Sequence, residues 1–274
     1  MAVSNCYTTL ARMSSLKRIS SVNAAEDAVL EAMISAASRI IDGYCGRTFY
    51  PRVATKLYNV PATRMLYFQD DLLALTTLTN GDTAVITSTD YILETSGLYP
   101  FWGVKLRDTS SVFWSWNSDG SVERVISALG EWGYHNDYAG AWFATDTLSA
   151  GVNAAVTALP TTSSALIKQN QIIKIDSEIM NVSSVVTTTT NVTKRGDNGS
   201  TAAAHLISAP IYVWVPIDNI RAACEDIVLT EYNKRFGTGQ EAGTVTVTAA
   251  GVVISPSDMS AFAKSILSLY RRNF

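Results

Sequence analysis

Between Asn23 and Tyr44 the chain reads NAAEDAVLEAMISAASRIIDGY. Val29, Met33, Ala37 and Ile40 recur on one face of a helix, with Leu30, Ile34 and Ile41 beside them, while Glu26, Asp27, Glu31, Ser38 and Asp42 fall mostly elsewhere. Asn23 is a good N-cap with Glu26 in the capping-box position, and Gly43 and Gly46 punctuate the far end. So wide an apolar stripe cannot be buried by the helix alone. The comparable stripes lie far downstream. Pro216 opens PIDNIRAACEDIVLTEYNKRFG, with Ile220, Cys224, Ile227, Val228, Glu231 and Tyr232 at helical spacing and Gly237 as the stop. After a strand-like TVTVTAAGVVI, Ser255-Pro256-Ser257-Asp258 begins a third helix, with Ser255 as N-cap and Pro256 at the first helical position. Its stripe is Met259, Phe262, Ala263, Ile266, Leu267 and Tyr270, and Arg271 and Arg272 sit at its negative end. The three helices are expected to pack together across the intervening chain.

From Thr48 to about Tyr134 the texture changes to short β-rich runs: RVATKLYNV, RMLYF, LLALTTLTNGDTAVI, DYILE, GVKL, SVFWSW and ERVISALGEWGY. Asn80-Gly81 is a short hairpin signal and Asp119-Gly120 a second, so an antiparallel sheet is predicted. From about Ala144 to Trp214 Thr, Ser, Ala and Val dominate, with no aromatic residue before Tyr212. The stretch QIIKIDSEIMNVSSVVTTTTNVTKRG reads as successive strands of an inserted module. The sequence thus predicts an α+β protein. A helical bundle of about three main helices with an antiparallel β-sheet forms a discontinuous core from residues 1–143 and 215–274, plus an inserted small all-β domain over residues 144–214.

At 274 residues the chain can bury a core without staples, and its 47% apolar and 16% charged content suits an ordered protein. A net charge of −3 supplies no positive field to hold a phosphate backbone, which argues against dedicated nucleic-acid binding. Cys6, Cys45 and Cys224 match neither a disulfide framework nor a metal-binding spacing, and read as small buried hydrophobes in a reducing compartment. No signal-type apolar region and no membrane-length apolar run is seen, so neither export by a standard signal nor a membrane span is expected.

Candidate chemistry is sparse. The neighbouring carboxylates Asp70-Asp71 and Glu225-Asp226 should diverge, whereas Asp176 and Glu178 share one strand face, read here as a solvated one. His135 and His205 are the only imidazoles and cannot assemble a multi-histidine zinc site. A Ser-His-Asp arrangement is not ruled out by spacing, but no GxSxG elbow and no phosphate-binding glycine loop occurs. TKRGDNGSTAAAH (Thr193 to His205) contains Arg195-Gly196-Asp197 and reads as a hairpin turn, with Asp197, Asn198 and Gly199 tolerating left-handed backbone. Sequons start at Asn181, Asn191 and Asn198. The aromatics Phe101, Trp102, Phe113, Trp114, Trp116, Trp132, Tyr134, Tyr138, Trp142 and Phe143 exceed what one small sheet face needs, so part of the set is expected at a protein interface.

EDAVLEAMISAASRIIDGYCGRTFYP (Glu26 to Pro51), VPIDNIRAACEDIVLTEYNKRF (Val215 to Phe236) and FAKSILSLYRR near the end together resemble the head-tail connector, or neck adaptor, family of tailed bacteriophages. The resemblance covers about residues 7–137 and 215–274. IKIDSEIMNVSSVVTTTTNVTKRGDNGSTAAAH resembles a small β module that recurs in phage structural proteins. The resemblance implies a structural virion protein, assembled in the host cytoplasm into a homo-oligomeric ring of twelve copies. That ring would join the portal protein of the head to a tail, stopper or nozzle protein and extend the channel through which DNA passes without specific binding. It implies no enzyme activity, no catalytic residues, no metal and no cofactor. Within it, the terminal residues Leu269, Tyr270, Arg271, Arg272, Asn273 and Phe274, read as basic, aromatic and unconstrained, are the candidate portal contact. Two other classes compete: a β-rich adhesin or carbohydrate-binding module, motivated by the RGD tripeptide, the sequons and the tryptophans, and a hydrolase using Asp176, Glu178 or His205.

Overall fold

A computed structural model of the chain describes residues 4–16, 24–236, 246–247, 253–254 and 259–272. More of the described backbone lies in strands than in helices. The first sheet contains β1 (Arg52–Tyr58), β2 (Met65–Thr79), β3 (Val85–Ile86), β4 (Tyr91–Thr95), β5 (Phe101–Leu106) and β6 (Ile126–Trp132), in the order β1-β6-β2-β5-β4 with β3 paired to β2. Every pairing is antiparallel. Strand β6 shows the cause most plainly: Ile126, Ala128, Gly130 and Trp132 alternate inward, so one face is buried along its whole length. Ile126, Ala128 and Trp132 meet Leu66, Phe68, Leu72, Leu78, Val104 and Leu106 in one apolar cluster.

The second sheet contains β7 (Trp142–Thr147), β8 (Ala158–Pro160), β9 (Ile172–Ile175), β10 (Glu178–Val186), β11 (Thr189–Val192) and β12 (Pro210–Trp214), in the order β7-β12-β9-β10-β11-β8. Its pairings are antiparallel too, and its core of Leu148, Leu159, Ile173, Ile175, Met180, Val182, Ile211 and Val213 is built from branched and aliphatic side chains. A separate cluster of Leu73, Ala141, Ile172, Ile179 and Trp214 joins the two sheets. The Trp214 indole N–H donates to the Phe49 carbonyl at 3.2 Å across that junction.

The helices are α1 (Leu10–Leu16), α2 (Ala24–Cys45), the single turn α3 (Tyr138–Ala141), α4 (Asp218–Phe236) and α5 (Ala261–Ser268). Leu30, Ile34, Ala37 and Ile41 of α2 share one core with Ile220, Cys224 and Val228 of α4, Ala263 and Leu267 of α5, and Tyr7 and Met13. Helices α2 and α4 run antiparallel: Tyr232 donates to Glu26 at one end, and Ser38 Oγ lies 3.7 Å from Cys224 Sγ further along. All three cysteines are buried and free. Burial pushes the Cys6 and Cys224 thiols up to about 12, so neither is a ready nucleophile.

The expected fold class is corrected. The protein is mostly β, two six-stranded antiparallel sheets with helices as a minor layer, and is not a three-helix bundle carrying one sheet. Helical stripes stand out over long windows, whereas the Thr- and Val-rich runs commit more of the chain to strands than any single short run announces. Smaller corrections follow the same logic. RMLYF and LLALTTLT form the single bulged strand β2, and SVFWSW is irregular, with the Trp114 indole donating to the Arg64 carbonyl at 3.1 Å. At Asn80-Gly81 the left-handed residue is Thr83, at φ 69°, in a loop closed by Asn80 N–H to the Ala84 carbonyl. Ile40 is 47% exposed, outside the α2 core stripe. Helix α5 is capped by Ser260, whose Oγ accepts the Ala263 N–H at 3.0 Å. The expected caps and stop at Asn23, Gly237 and Ser255 to Asp258 lie outside the described residues. From TVTVTAAGVVI the described parts are β13 (Thr246–Val247) and β14 (Val253–Ile254), paired antiparallel with each other.

Candidate functional site

The residues with the most chemical potential in the sequence converge at the β9–β10 hairpin. Asp176 occupies its two-residue turn in the left-handed region, at φ 51°, and Glu178 begins β10 with no exposed side-chain surface. The chain from Arg195 to His205 closes over them. Arg195 Nε and Nη2 donate to the two Glu178 oxygens at 2.8 and 2.7 Å, a bidentate pair. Its remaining donors reach the carbonyls of Asn153, Val156 and Ala203, so the whole guanidinium fork is used. Backbone N–H groups of Gly196 and Ala203 donate to Glu178 at 2.7 and 3.0 Å. His205 completes the ring, with Nδ1 2.7 Å from Asp176 Oδ2 and Nε2 2.8 Å from Glu178 Oε2. Both nitrogens face carboxylate oxygens, so both bonds are made together only by the doubly protonated imidazole.

The electrostatics follow from this packing. Burial pushes the Glu178 carboxyl up, but the Arg195 guanidinium, the amides of Ala203 and Gly196 and the His205 ring outweigh it and hold the group at about 2. The carboxylate is therefore a fixed anion with no lone pair to spare. A general acid or base must reach a substrate proton. Glu178 and His205 are enclosed by the protein's own donors, and only Asp176, at 61% side-chain exposure, meets solvent. The structure thus brings Asp176, Glu178 and His205 together, and in doing so uses them to clamp a loop. The reading of Asp176 and Glu178 as a solvated strand face is corrected for Glu178.

The same loop locks the molecule's parts together. Asn181 Nδ2 donates to Asp197 at 2.6 Å, and Asn181 Oδ1 accepts the Asn5 backbone N–H at 2.7 Å. Asn5 and Asn198 exchange side-chain bonds at 2.9 and 2.7 Å, and Val53 of β1 donates its N–H to the Asn198 carbonyl at 2.8 Å. Gly199 takes φ 78°, and a Cβ there would stand 2.0 Å from the Val53 carbonyl oxygen. The RGD tripeptide is thereby spent internally: the Arg195 and Asp197 side chains are 5% and 10% exposed. Asn181 and Asn198, two of the three sequon asparagines, are buried.

The remaining candidates are dispersed. His135 Nε2 lies 3.1 Å from the Val215 carbonyl and Nδ1 accepts the Asp137 N–H at 3.0 Å, which uses both nitrogens structurally. Glu225 accepts from Thr8 and Arg12 while Asp226 accepts from Ser260, so this pair diverges. Asp70 and Asp71 sit where the register of β2 shifts, and Arg272 reaches both, at 3.7 and 3.9 Å. The expected divergence of that pair fails because the irregularity breaks strict alternation. Arg272 also donates its N–H to the Cys45 carbonyl at 2.8 Å, and the Tyr270 ring packs edge-on against Phe49 and Tyr134. The reading of the terminal residues as unconstrained is therefore corrected for Tyr270 and Arg272. Leu269 is 77% exposed and Arg271 is exposed, while Asn273 and Phe274 lie outside the described residues.

Two surface features stand out, one a groove between helices and the other built on Trp102 of the aromatic set expected in part at an interface. An open groove of about 720 Å³ runs between α2 and α4, lined by Ala28, Val29, Ala32, Met33 and Ile40 on one side and Ile227, Val228 and Glu231 on the other, so it is mainly apolar with one carboxylate. On the first sheet Tyr67 and Trp102 stack at 5.7 Å with their planes 18° apart, and Tyr67 is 65% exposed. The groove was legible only as a face of α2 lacking charge at Ala28, Ala32, Ala36 and Ile40. Among the described residues no group of His, Cys, Asp and Glu is placed to hold a metal ion, and no helix is long and apolar enough to cross a membrane. Comparison with protein-family models and with curated proteins returned no match to this chain.

Proposed function

We propose that the protein is a structural subunit of a tailed-phage neck, whose copies close into a ring between the portal vertex and the tail and extend the DNA channel. The reading begins from the resemblance of Glu26 to Pro51, Val215 to Phe236 and the terminal FAKSILSLYRR to neck adaptors. The observation that carries it further is the uncovered apolar groove between α2 and α4, the two helices in which that resemblance is concentrated. A lateral contact in a closed ring needs an apolar surface of this kind on every subunit. The acidic balance of the chain suits a channel along which DNA slides without adhering. In the proposed neck, exposed Leu269 and Arg271 face the portal, and Tyr270 and Arg272 anchor that end of the chain.

The adhesin alternative loses its main motif, because the RGD side chains are committed to internal bonds. The stacked Tyr67–Trp102 pair favours its carbohydrate-binding form, since an exposed aromatic face can stack on a sugar ring. Mass photometry and negative-stain microscopy of the purified protein, alone and with the portal of the same phage, test the proposal. Rings are the expected result. A monomer under both conditions, together with glycan binding abolished by Trp102→Ala, would replace the neck reading with the carbohydrate one.

A further inference from the structure

The two six-stranded sheets finish their edges differently. The second closes on itself: the Ser149 N–H donates to the Pro160 carbonyl at 3.0 Å and the Thr162 N–H to the Thr147 carbonyl at 3.1 Å, which ties the end of β7 to β8. The first stays open, with β1 at one edge and β4 at the other. An open edge is a row of unpaired N–H and C=O groups, which proteins shield with prolines, outward charges or covering segments.

On β1 the Val53 N–H points away from β6, to the Asn198 carbonyl at 2.8 Å. The pairing with β6 then runs to Tyr58 without a register shift, so Thr55 and Leu57 turn their N–H and C=O groups the same way, where no described residue meets them. At the other edge the Arg107 N–H donates to the Asp90 carbonyl at 2.8 Å, while the Leu106 N–H turns the opposite way, to the Arg64 carbonyl at 2.9 Å. By the same alternation Ile92 and Glu94 bond to β5, and Tyr91 and Leu93 direct their backbone groups outward, again without a partner among the described residues. Neither strand contains a proline, and Lys56 is turned inward, over the Trp132 ring and onto Asp70. Exposed apolar side chains, Leu57 on β1 and Ile92 on β4, flank both free edges.

We infer that the β4 edge of one copy pairs with the β1 edge of a second copy, so that the first sheets of neighbours join through main-chain hydrogen bonds. This rests on the ring reading and names the strands that meet. Strands β1 and β4 are the ends of five strands, each antiparallel to the next, so they run in the same direction. A neighbour related by simple rotation therefore adds its β1 parallel to β4, with the buried faces of the two sheets continuous. Each edge supplies two residues with outward backbone groups, at the same two-residue spacing, Thr55 and Leu57 against Tyr91 and Leu93. Because the two edges differ and lie at opposite ends of the sheet, the contact is head-to-tail, the kind that closes into rings.

The test uses two full-length variants, Leu57→Pro and Leu93→Pro. Proline is tolerated on an edge strand where the N–H faces outward, so each variant loses no internal bond and should keep the circular dichroism of a folded chain. Mass photometry should find neither variant in rings, while an equimolar mixture forms heterodimers, because the Leu57→Pro copy still offers β4 and the Leu93→Pro copy still offers β1. Hydrogen exchange on the wild type needs no variant and decides the matter if a proline unfolds the chain: the amides of Thr55, Leu57, Tyr91 and Leu93 should exchange at least tenfold more slowly in rings than in dissociated subunits. Rings that persist in either folded variant would overturn the strand contact and leave the ring reading, with its α2–α4 groove, standing. A mixture without heterodimers, or equal exchange in rings and subunits, would overturn the strand contact in the same way. A wild-type protein that stays monomeric with and without portal would overturn both.

Discussion

Asp42 in the helical layer and Glu178 in the second sheet are both carboxylates inside the protein, and their surroundings treat them in opposite ways. Asp42 accepts from the Tyr7 hydroxyl and lies 3.3 Å from Arg39, but burial is the largest influence and pushes it up to about 6. Glu178 is surrounded by an arginine fork, two backbone amides and an imidazole, which overcome its burial and hold it at about 2. The helical layer is organised by apolar stripes, and its few polar groups are carried at a cost. The loop over the second sheet is organised by polar bonds, each donor matched to an acceptor. A charge left half-paired in the first setting strains the fold, whereas in the second it serves as a staple.

The most severe way to break the contrast is to remove one side of the staple. Arg195→Ala leaves Glu178 buried and uncompensated and is expected to cost about 3–5 kcal/mol in urea unfolding; a cost below about 1 kcal/mol would mean that water or a rearranged loop satisfies the carboxylate. Gly199→Ala places a methyl group against the Val53 carbonyl in a left-handed backbone, for an expected loss on the order of 1–3 kcal/mol. Its distinguishing signature is looser coupling of β1 to the second sheet, read as faster amide exchange at Val53, whose N–H is bonded to the Asn198 carbonyl.

The pH profile sharpens the comparison. Glu178 has a folded pKa below its ordinary 4.5, so its contribution is present above 4.5 and is lost as pH falls towards about 2. Asp42 has a folded pKa raised from 3.8 to about 6, so its contribution is greatest below 3.8 and is lost as pH rises through about 6. Glu178→Gln should flatten the acid limb of stability against pH, and Asp42→Asn should flatten the decline between about 3.8 and 6. Identical profiles for the two variants would show that the carboxylates do not differ as described. The smallest effect belongs to the open face: Ile40→Ser should change monomer stability by no more than about 0.5 kcal/mol, since Ile40 is already 47% exposed. A larger loss would place Ile40 in the core.

Much of the helical layer was legible because a stripe such as Leu30, Ile34, Ala37 and Ile41 is local and periodic, and β6 was legible by its alternation. The balance of the fold was not, since whether a Thr- and Val-rich run becomes a strand depends on partners elsewhere in the chain. The turn at Asp197-Asn198-Gly199 could be read from residue type. Its partners could not: Asn5 reaches Asn198 across 193 positions, and Glu178 meets Arg195 only after the loop folds back over the β9–β10 hairpin.

The sequence by itself determined where backbone could be helical or extended, because propensity and periodicity act within a few residues. Tertiary structure alone decided that Arg195, Glu178 and His205 close on one another as a clamp, that Asp70 and Asp71 both face Arg272, and that one face of α2 stays open. Those outcomes depend on bonds between distant segments, and the free energy of such a bond exists only once the intervening chain has been brought into register.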